Sequence, residues 1–376
     1  MNSKHLLLGT RKGLLVLEEQ GGAWDVVCEA FPGLHVSIAA IDPRSGHLYA
    51  LIDSGHFGIK LHRWSGFLRD GKPQFSDDLE HAFEELEAPK YPADAKLADG
   101  RDAVLLYQWA FATGDDSQPG RIYIGTEPGG LFISDDDGQS SQLVDSLWNH
   151  PSRTNNQPGW MGGGRDEAGI HSILVDPRDP QQILIGISVA GVFGSDDGGA
   201  TWNVKNKGLI ADFLPDPESE LGHDPHLVVR CQNQPDKLWQ QNHCGIFRST
   251  DNADSWTRVS DSQGAAHFGF AIEVDPQDGE TAWVIPAESD MVRAAVNRQL
   301  CVARTSDGGQ TWEYFNHGLP TKSCYDFAFR HALKLQGDRL AFGTAGGSVY
   351  VSDDRGETWS TVGHHFPPVY SLTWIS

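Results

Sequence analysis

Short apolar stretches alternate with glycine-rich turns along the whole chain, and each stretch has the length of one β-strand. Runs opened by glycine, such as Gly191-Val-Phe-Gly and Gly245-Ile-Phe-Arg, follow a second kind of run such as Arg121-Ile-Tyr-Ile-Gly. Turn residues lie between the two runs, so each pair predicts a β-hairpin. No long amphipathic helical pattern is evident, and 42 Gly with 20 Pro suit many turns. The pattern predicts an all-β fold.

One eight-residue pattern follows several of these runs. Full copies occupy residues 195–202, 305–312 and 352–359, a fourth copy at 249–256 has Ala253 in the glycine position, and weaker outlines lie at 134–141 and 17–24. Its hydroxyl and carboxylate can accept hydrogen bonds from turn amides, glycine supplies a positive φ, and Thr-Trp favours the start of a strand. Each copy predicts a hairpin turn with a structural carboxylate. Calcium binding by Ser134-Asp-Asp-Asp-Gly is the alternative, although the further ligands of an EF-hand loop are absent.

The pattern Ser/Thr-x-Asp-x-Gly-x-Thr-Trp resembles the motif of the Asp-box proteins, also called BNR-repeat proteins. The resemblance extends over nearly the whole chain, because the strand pattern recurs from Leu6 to Ile375. It implies a β-propeller, the fold of sialidases, of some xyloglucan hydrolases and of several noncatalytic scaffolds. It implies a fold rather than a function, since one fold carries many functions.

The spacing of the turns predicts seven blades. Turn positions fall at Leu17, Ser134, Ser195, Ser249, Thr305 and Ser352, and the long gap after the first has room for one more blade. We place that blade at residues 34–88, around Leu48-Tyr-Ala-Leu-Ile and Gly58-Ile-Lys-Leu-His. The prediction is one domain over residues 1–376, a seven-bladed β-propeller of four-stranded antiparallel blades with roughly 50 residues each.

Apolar runs that end in Asp-Pro mark inner strands, because proline stops the hydrogen-bonded ladder. Such runs begin at His35, His171 and His267, and residues 104–110, 226–231 and 325–330 are assigned the same role. The sequence begins on what reads as the second strand of a blade and ends on the apolar strand 369–375. We therefore expect the C-terminal strand to pair into the N-terminal blade as its inner strand, which closes that edge.

Long insertions are expected on one face of the propeller. In an up-and-down blade the inner strands start on the face opposite the repeated turns. The insertions at residues 147–169, 208–225 and 286–298 should rise on that face, and long loops on a rigid scaffold commonly carry function. We expect a site for a small polar or sugar-like ligand there, at the mouth of the channel.

Acids, bases and aromatic residues near these segments have the chemistry of a sugar site. Glycosidic cleavage uses two carboxyl groups that flank the bond, and an aromatic ring can stack on a sugar. Trp160 would stack, Arg165 would contact an anion, and His171 and His226 would transfer protons or bind a metal. The predicted catalytic residues are Glu167, Glu288, Asp326 and His171, and the predicted ligand-binding residues are Trp160, Arg165, His226 and Tyr325, with Glu127 as a further available carboxylate. For each carboxylate alone, an ion-paired surface acid is the alternative.

Histidines at the inner-strand starts leave a metal site as an alternative. Imidazoles from different blades could meet across a channel, and His223-x-x-His226 has a spacing compatible with chelation. Hydrogen-bonded or solvated histidines explain the same pattern. No metal is assigned on this basis, and no cofactor is identified.

The catalytic signature of sialidases is missing. Sialidases use an arginine triad, a Tyr/Glu nucleophilic pair and an Arg-Ile-Pro segment near the N-terminus, and this sequence contains no Arg-Ile-Pro. Arg121-Ile-Tyr lies inside a predicted strand and is not a substitute. No catalytic residue can therefore be transferred from that resemblance, and enzymatic activity is left open.

Charge and cysteine content limit the partners and the compartment. A formal net charge of −22 opposes nucleic-acid binding, and no basic run offsets it. The five cysteines are scattered without Cys-x-x-Cys spacing and are expected to be reduced. The first apolar stretch is too short for a signal peptide and no run has the length of a membrane span, so a cytoplasmic location is expected.

Two functional hypotheses remain. The first is a glycosidase-like hydrolase that acts on a small polar or sugar-like ligand at the channel mouth. The second is a noncatalytic propeller that binds a protein or a small ligand, favoured by the missing catalytic signatures.

Overall fold

The chain folds into seven four-stranded antiparallel sheets, the architecture of a seven-bladed β-propeller. A computed structural model describes residues 4–69, 71–74, 80–154, 159–163 and 165–375. The predicted fold class is confirmed, including the blade at residues 34–88.

The strands follow one another through the sheets in chain order. The first sheet contains β1 (Lys4–Thr10), β2 (Gly13–Gln20) and β3 (Ala23–Ala30). The second contains β4 (His35–Asp42), β5 (His47–Asp53), β6 (Ile59–Trp64) and β9 (Glu84–Leu86), and a small separate hairpin of β7 (Leu68–Arg69) and β8 (Lys72–Pro73) lies between β6 and β9 in the chain. The third and fourth contain β10 (Tyr107–Thr113), β11 (Ile122–Glu127), β12 (Leu131–Ser134), β13 (Gln142–Leu143), then β14 (Ile170–Asp176), β15 (Asp179–Ile187), β16 (Gly191–Ser195) and β17 (Asn203–Val204).

The remaining sheets continue the same order. The fifth and sixth contain β18 (Pro225–Arg230), β19 (Leu238–Asn242), β20 (Gly245–Ser249), β21 (Thr257–Arg258), then β22 (Gly269–Val274), β23 (Ala282–Pro286), β24 (Val302–Thr305) and β25 (Glu313–Phe315). The seventh contains β26 (Leu333–Gln336), β27 (Arg339–Gly343), β28 (Val349–Ser352) and β29 (Ser360–Gly363), and β30 (Val369–Ile375) joins the first sheet. Among the residues that the structure describes, helical structure is confined to α1 (Asp145–Trp148), α2 (Pro151–Thr154) and three 3₁₀ turns at Gly55–Phe57, Glu80–Ala82 and Val296–Arg298. No helix in the described parts of the chain is both long and apolar enough to cross a membrane.

The chain divides into two compact units. The first unit comprises residues 1–88, 293–302 and 314–376, and the second comprises residues 89–292 and 303–313. In the first unit, Leu7, Val16 and Val36 belong to one buried core. In the second unit, Ile185 and Phe193 belong to another. That residues 1–376 form a single domain stays a prediction.

The middle strands are buried on both faces, which explains why they are continuously apolar rather than alternating. Every residue of β11 and every residue of β16 is buried. A strand covered on both sides has no solvent-facing position to fill with a polar side chain. Both kinds of run in the sequence are middle strands: β16 is opened by glycine, and β11 is a run of the second kind.

The repeated pattern forms one hydrogen-bonded turn between the third and fourth strands of a blade. In the copy at residues 195–202, the amide of Gly199 donates to Ser195 Oγ at 2.8 Å, and Asp197 accepts from the amide and the hydroxyl of Thr201 at 2.8 and 2.6 Å. The copies that begin at Ser134, Ser249, Thr305 and Ser352 repeat these bonds. Ala253 keeps the positive φ of the glycine it replaces, at 66°, with its methyl group fully buried. The predicted turn is confirmed.

The tryptophan that closes each full or near-full copy packs beside its sheet. Trp202, Trp256 and Trp359 are buried, and Trp312 is half-buried. Each indole N–H donates to a backbone carbonyl, as Trp256 Nε1 does to Lys205 O at 2.8 Å. Their predicted structural role is confirmed.

The C-terminal strand completes the N-terminal sheet as predicted. The sheet order is β3-β2-β1-β30, and β30 pairs with β1 from His5–Ile375 to Thr10–Val369. In β30, Val369 and Leu372 are fully buried in a core of the first unit.

One predicted inner strand is wrong. Residues 325–330 lie outside any strand, and the inner strand of the seventh sheet is β26, which pairs with β27. The Asp326 carboxylate accepts hydrogen bonds from the amides of Phe327 and Gly346 at 2.9 and 2.8 Å, which holds this segment as a loop. An apolar–polar alternation alone could not separate it from the later run Leu333-Lys-Leu-Gln.

The cysteines with described thiol surroundings are reduced, as expected. Cys231, Cys244, Cys301 and Cys324 are thiols. Burial raises the pKa of each, and that of Cys301 to about 11. A raised pKa keeps a thiol protonated and therefore poorly reactive.

Candidate functional site

Six inner strands each have a β-bulge near their start, and each bulge changes the direction of the side chains there. At each bulge the pairing register skips one or two residues of the inner strand, namely Ser37, Trp109, His171, His226, Phe270 with Ala271, and Tyr370. Bulges bend the strand and redirect the side chain of the extra residue, and they are frequent beside active sites. His171 and His226, two predicted site residues, are both bulge residues.

Arg165 is the centre of the first group of polar residues in the second unit. Its guanidinium lies over the rings of Tyr107 and Trp109, at 4.4 and 5.5 Å from the ring centroids. Its Nε also pairs with Glu127 Oε2. Glu127 is 1% exposed, and its Oε1 accepts a hydrogen bond from the amide of Glu167 at 3.3 Å. We call Tyr107, Trp109, Glu127, Arg165 and Glu167 the Arg165 cluster.

The loop before β14 fits closely over this cluster. A Cβ atom on Gly169 would come within 2.5 Å of Trp109 Cε3, so the indole lies directly on this glycine. The Glu167 carboxylate turns outward and pairs with Arg101 at 2.7 Å, with 23% of its side chain exposed. The cluster therefore brings two predicted residues, Arg165 and Glu167, together with an aromatic ring and a buried carboxylate.

A second group, also in the second unit, gathers around Asp224. Asp224 Oδ2 lies 3.7 Å from His226 Nε2 and 3.5 Å from His243 Nδ1. His243 Nε2 faces Asp290 Oδ2 at 3.8 Å. The contact with Asp224 raises the pKa of His243, although burial opposes it. We call Asp224, His226, His243 and Asp290 the Asp224 cluster.

The walls of the Asp224 cluster are aromatic. The His226 ring stacks on Phe270 with centroids 4.7 Å apart, and Phe268 meets both imidazoles edge to face. His226 and Asp224 are 2% and 7% exposed. His243 is more accessible, with 27% of its side chain exposed.

The turn between β15 and β16 contacts both clusters. Ser188 exchanges hydrogen bonds with Gly169, beside Trp109, and the amide of Val189 donates to Asp224 Oδ1 at 3.2 Å. A Cβ on Gly163, in the loop that carries Arg165, would lie 3.2 Å from Asp224 Oδ1. Both clusters are therefore positioned by the same pair of loops.

Five predicted site residues have other surroundings, and three of them lie in the second unit. Trp160 is half-buried, packs edge to face on Phe193 at 5.3 Å and donates to Ser152 Oγ at 3.0 Å, so its ring is part of the packing. His171 is fully buried, beside Trp109 at 5.9 Å and with Nδ1 2.9 Å from Ser172 Oγ. Glu288 is half-buried in the loop that carries Asp290.

The other two predicted residues lie in the first unit. Tyr325 is 73% exposed with Arg298 over its ring at 5.2 Å. It lies outside a strand, contrary to the prediction. Asp326 bonds backbone amides of its own loop.

The sequence interpretation gave neither Trp109 nor Asp224 a role in a site. Trp109 lies in a segment already assigned to an inner strand, but no sequence signal marks a bulge. Of the pair His223-x-x-His226, only His226 belongs to the Asp224 cluster. His223 turns away, with Nε2 2.6 Å from Ser219 O, and burial lowers its pKa.

One cavity is lined by no residue of either cluster. Its volume is about 580 Å³, and its walls include Asn206, Leu209 and Glu218. None of these residues was predicted to bind a ligand.

The fold and the two clusters define a seven-bladed propeller with acidic, cationic and aromatic groups at bulged strand starts. No established family description matches the chain. It is similar to proteins named xyloglucanases. A probable oligoxyloglucan-reducing end-specific xyloglucanase of Neosartorya fischeri is 30% identical over 40% of this chain and 18% of its own length, and a xyloglucanase of Hypocrea jecorina is 23% identical over 65% and 31%. The chain thus spans less than a third of these relatives.

Solved structures support the fold. An ancestral GH74 enzyme superposes with a TM-score of 0.54 at 15% identity, over 90% of this chain and 38% of the other. YCF48 from Cyanidioschyzon merolae also gives 0.54 at 15% identity, over 93% and 96%. At these identities the likeness concerns the fold alone.

Proposed function

We propose that the protein binds a neutral oligosaccharide of the xyloglucan class at the Arg165 cluster and hydrolyses a glycosidic bond in it. The observation that carries the proposal is the contact of Glu127 with the amide of Glu167 beneath the Trp109 ring, which gathers two carboxylates and an aromatic face in one place. Relatives named xyloglucanases support the choice of ligand.

The groups divide the chemistry between them. Glycosidic cleavage needs one carboxyl group to protonate the leaving oxygen and a second to activate water or to form a covalent intermediate. Glu167, the more exposed carboxylate, serves as the acid and base. Glu127 serves as the second carboxylate, and Arg165 orients it. Trp109 supplies the surface on which a sugar ring stacks.

The test compares two glutamates that each pair with one arginine. Glu167→Gln should lower the turnover of xyloglucan-derived oligosaccharides by about 10²–10⁴-fold, the usual contribution of general acid–base catalysis. Glu313→Gln is the control, since Glu313 pairs with Arg304 at 3.2 Å at the outer strand of a blade. Reducing-sugar release is the measurement. Equal loss in both variants, or no turnover by the wild type, would reject hydrolysis.

A noncatalytic binding propeller is the second candidate. It is favoured by the ion pairs of the cluster, because Glu127 and Glu167 each already have an arginine partner. Calorimetric binding of the same oligosaccharides without turnover would support this candidate. Absence of both binding and turnover would remove the sugar proposal altogether.

A further inference from the structure

Three donor atoms of the Asp224 cluster face a common point. The carboxylate of Asp224 and the imidazoles of His226 and His243 offer atoms that all lie within 4.8 Å of one another. Two ligand atoms of one tetrahedral zinc ion lie about 3.3 Å apart, given metal–ligand bonds of about 2.0–2.2 Å. The distances of 3.5 and 3.7 Å from Asp224 Oδ2 to the two nitrogens are close to that value.

The orientation of His226 is fixed by a hydrogen bond on the far side of its ring. Nδ1 lies 2.6 Å from the carbonyl oxygen of Gly269. A carbonyl can only accept, so Nδ1 carries the proton and the lone pair of a neutral ring is on Nε2, directed at Asp224. In the neutral ring this lone pair faces the Asp224 carboxylate at 3.7 Å, an arrangement that a cation bound between the two groups would stabilise. Metal-bound histidines typically donate their other nitrogen to a carbonyl or carboxylate in this way.

The other two donors are held in the same manner. Asp224 Oδ1 accepts from the amide of Val189 at 3.2 Å, and Oδ2 lies on the side of the two imidazoles. His243 presents Nδ1 to that point while Nε2 faces Asp290. A carboxylate behind a histidine is a frequent second partner in zinc sites.

We propose that Asp224, His226 and His243 bind a divalent transition-metal ion of the zinc class. Two imidazoles and one carboxylate favour zinc over magnesium or calcium, which prefer oxygen ligands. Three protein ligands leave one coordination position for water or substrate, the arrangement of catalytic rather than structural zinc. The stacked Phe270 ring keeps His226 rigid, and the partly exposed His243 side gives the ion access. This proposal is independent of the sugar proposal.

The test is calorimetric titration of the chelator-treated full chain with Zn²⁺ alone. One ion per chain is expected. Asp224→Asn and His243→Gln should weaken binding by more than about 100-fold, because they remove direct ligands, whereas loss of a group that only hydrogen-bonds a ligand already costs about 10–100-fold. Asn keeps an acceptor for Val189, and His243 is partly exposed, so both variants should fold. His267→Gln is the control, because His267 bonds to Gly264 O and lies outside the donor set.

Circular dichroism and melting curves serve to check that each variant is folded. If Asp224→Asn is unstable, the zinc affinity of His243→Gln alone decides the test. A Zn²⁺-dependent rise in Tm should occur in the wild type and in His267→Gln and be absent in His243→Gln. The proposal is overturned if the wild type binds no stoichiometric Zn²⁺, or if His243→Gln binds it as tightly as the control does.

Discussion

The carboxylate of the repeated turn is bound by the hydroxyl and amide groups of its own turn, and Asp307 shows the consequence. Thr311 donates to it from the amide at 3.0 Å and from the hydroxyl at 2.6 Å. The Thr311 hydroxyl foremost lowers the pKa of Asp307, although burial acts in the opposite direction. A depressed folded-state pKa contributes stability above the unfolded-state pKa, and that stability is lost as the pH falls through the folded-state value.

Acid should therefore destabilise the protein below about pH 4, and Asp307→Asn should remove part of this loss. The measurement is the urea midpoint at about pH 6 and about pH 3. Asp338→Asn is the control, because Asp338 is an exposed acid outside any repeated turn. If the urea midpoint of Asp307→Asn falls between the two pH values by as much as that of the wild type, the Asp307 carboxylate does not contribute to the loss of stability in acid.

Two tryptophans of the repeated turn differ in burial and should differ in energetic weight. Trp256 is 3% exposed, whereas Trp312 is half-buried, and both donate to a backbone carbonyl. Trp256→Ala should lower the free energy of unfolding by about 3–5 kcal/mol. Trp312→Ala should lower it by less, because folding buries less of the apolar surface of Trp312 than of Trp256. Chemical denaturation of both variants provides the comparison. Equal losses would show that burial of the ring does not set the cost.

Single residues were the hardest feature of the site to predict. Trp160 is an aromatic residue in a glycine-rich loop, as expected of a ligand contact, yet its ring packs on Phe193 and donates to Ser152. Trp109 takes the position beside the carboxylates because a bulge turns it there. The sequence shows which residue types are near a strand start, but the direction of a side chain depends on a one-residue insertion in the ladder.

Of all the strand pairs, β1 and β30 lie farthest apart in the sequence. Removing residues 367–376 takes away the neighbour of β1 and the buried side chains of Val369 and Leu372. The truncated chain should aggregate or lose cooperative unfolding, since β1 becomes an unpaired edge. Light scattering and melting curves are the measurements. A soluble truncated chain with an unchanged Tm would contradict this role.

Strand existence was predictable where turn chemistry and apolar runs agree. β4 to β6 were located without a full turn motif, from two apolar runs and the available length. The assignment of residues 325–330 failed because the Asp326 carboxylate competes for the backbone amides of that segment. Side-chain bonding to the main chain offers an alternative to the ladder that an apolar pattern does not reveal.

At the scale of the whole molecule, the excess of acids should govern the response to salt. The chain has 51 Asp and Glu against 29 Lys and Arg. Repulsion among the excess acids opposes the compact state and is screened by salt. Isolated surface ion pairs are also screened, but each contributes only about 0–1 kcal/mol.

Raising NaCl from about 10 mM to about 500 mM should therefore increase Tm. Scanning calorimetry across this range is the measurement. Sucrose at matched osmolality serves as the uncharged control. A fall in Tm with salt would mean that the ion pairs outweigh the net repulsion.

Blade number and closure were predictable because the turn motif repeats at a nearly constant interval. A repeated unit constrains the fold many times over. The two clusters are each assembled from several blades and loops, so no single interval in the sequence encodes them. The loops that carry Arg165 and Asp224 were singled out from the sequence, but the contacts within them were not.

The pairing of β1 with β30 also has a consequence for biosynthesis. One of the two neighbours of β1 in the finished sheet, β30, is translated after the strands of the other six sheets, so the first sheet stays one strand short while the ribosome makes them. Pairing across so long a stretch of chain is intrinsically slow. The open edge of β1 therefore needs to be shielded during translation. Chains whose translation stalls or ends before β30 would have an N-terminal sheet with an unpaired edge that can pair with other chains.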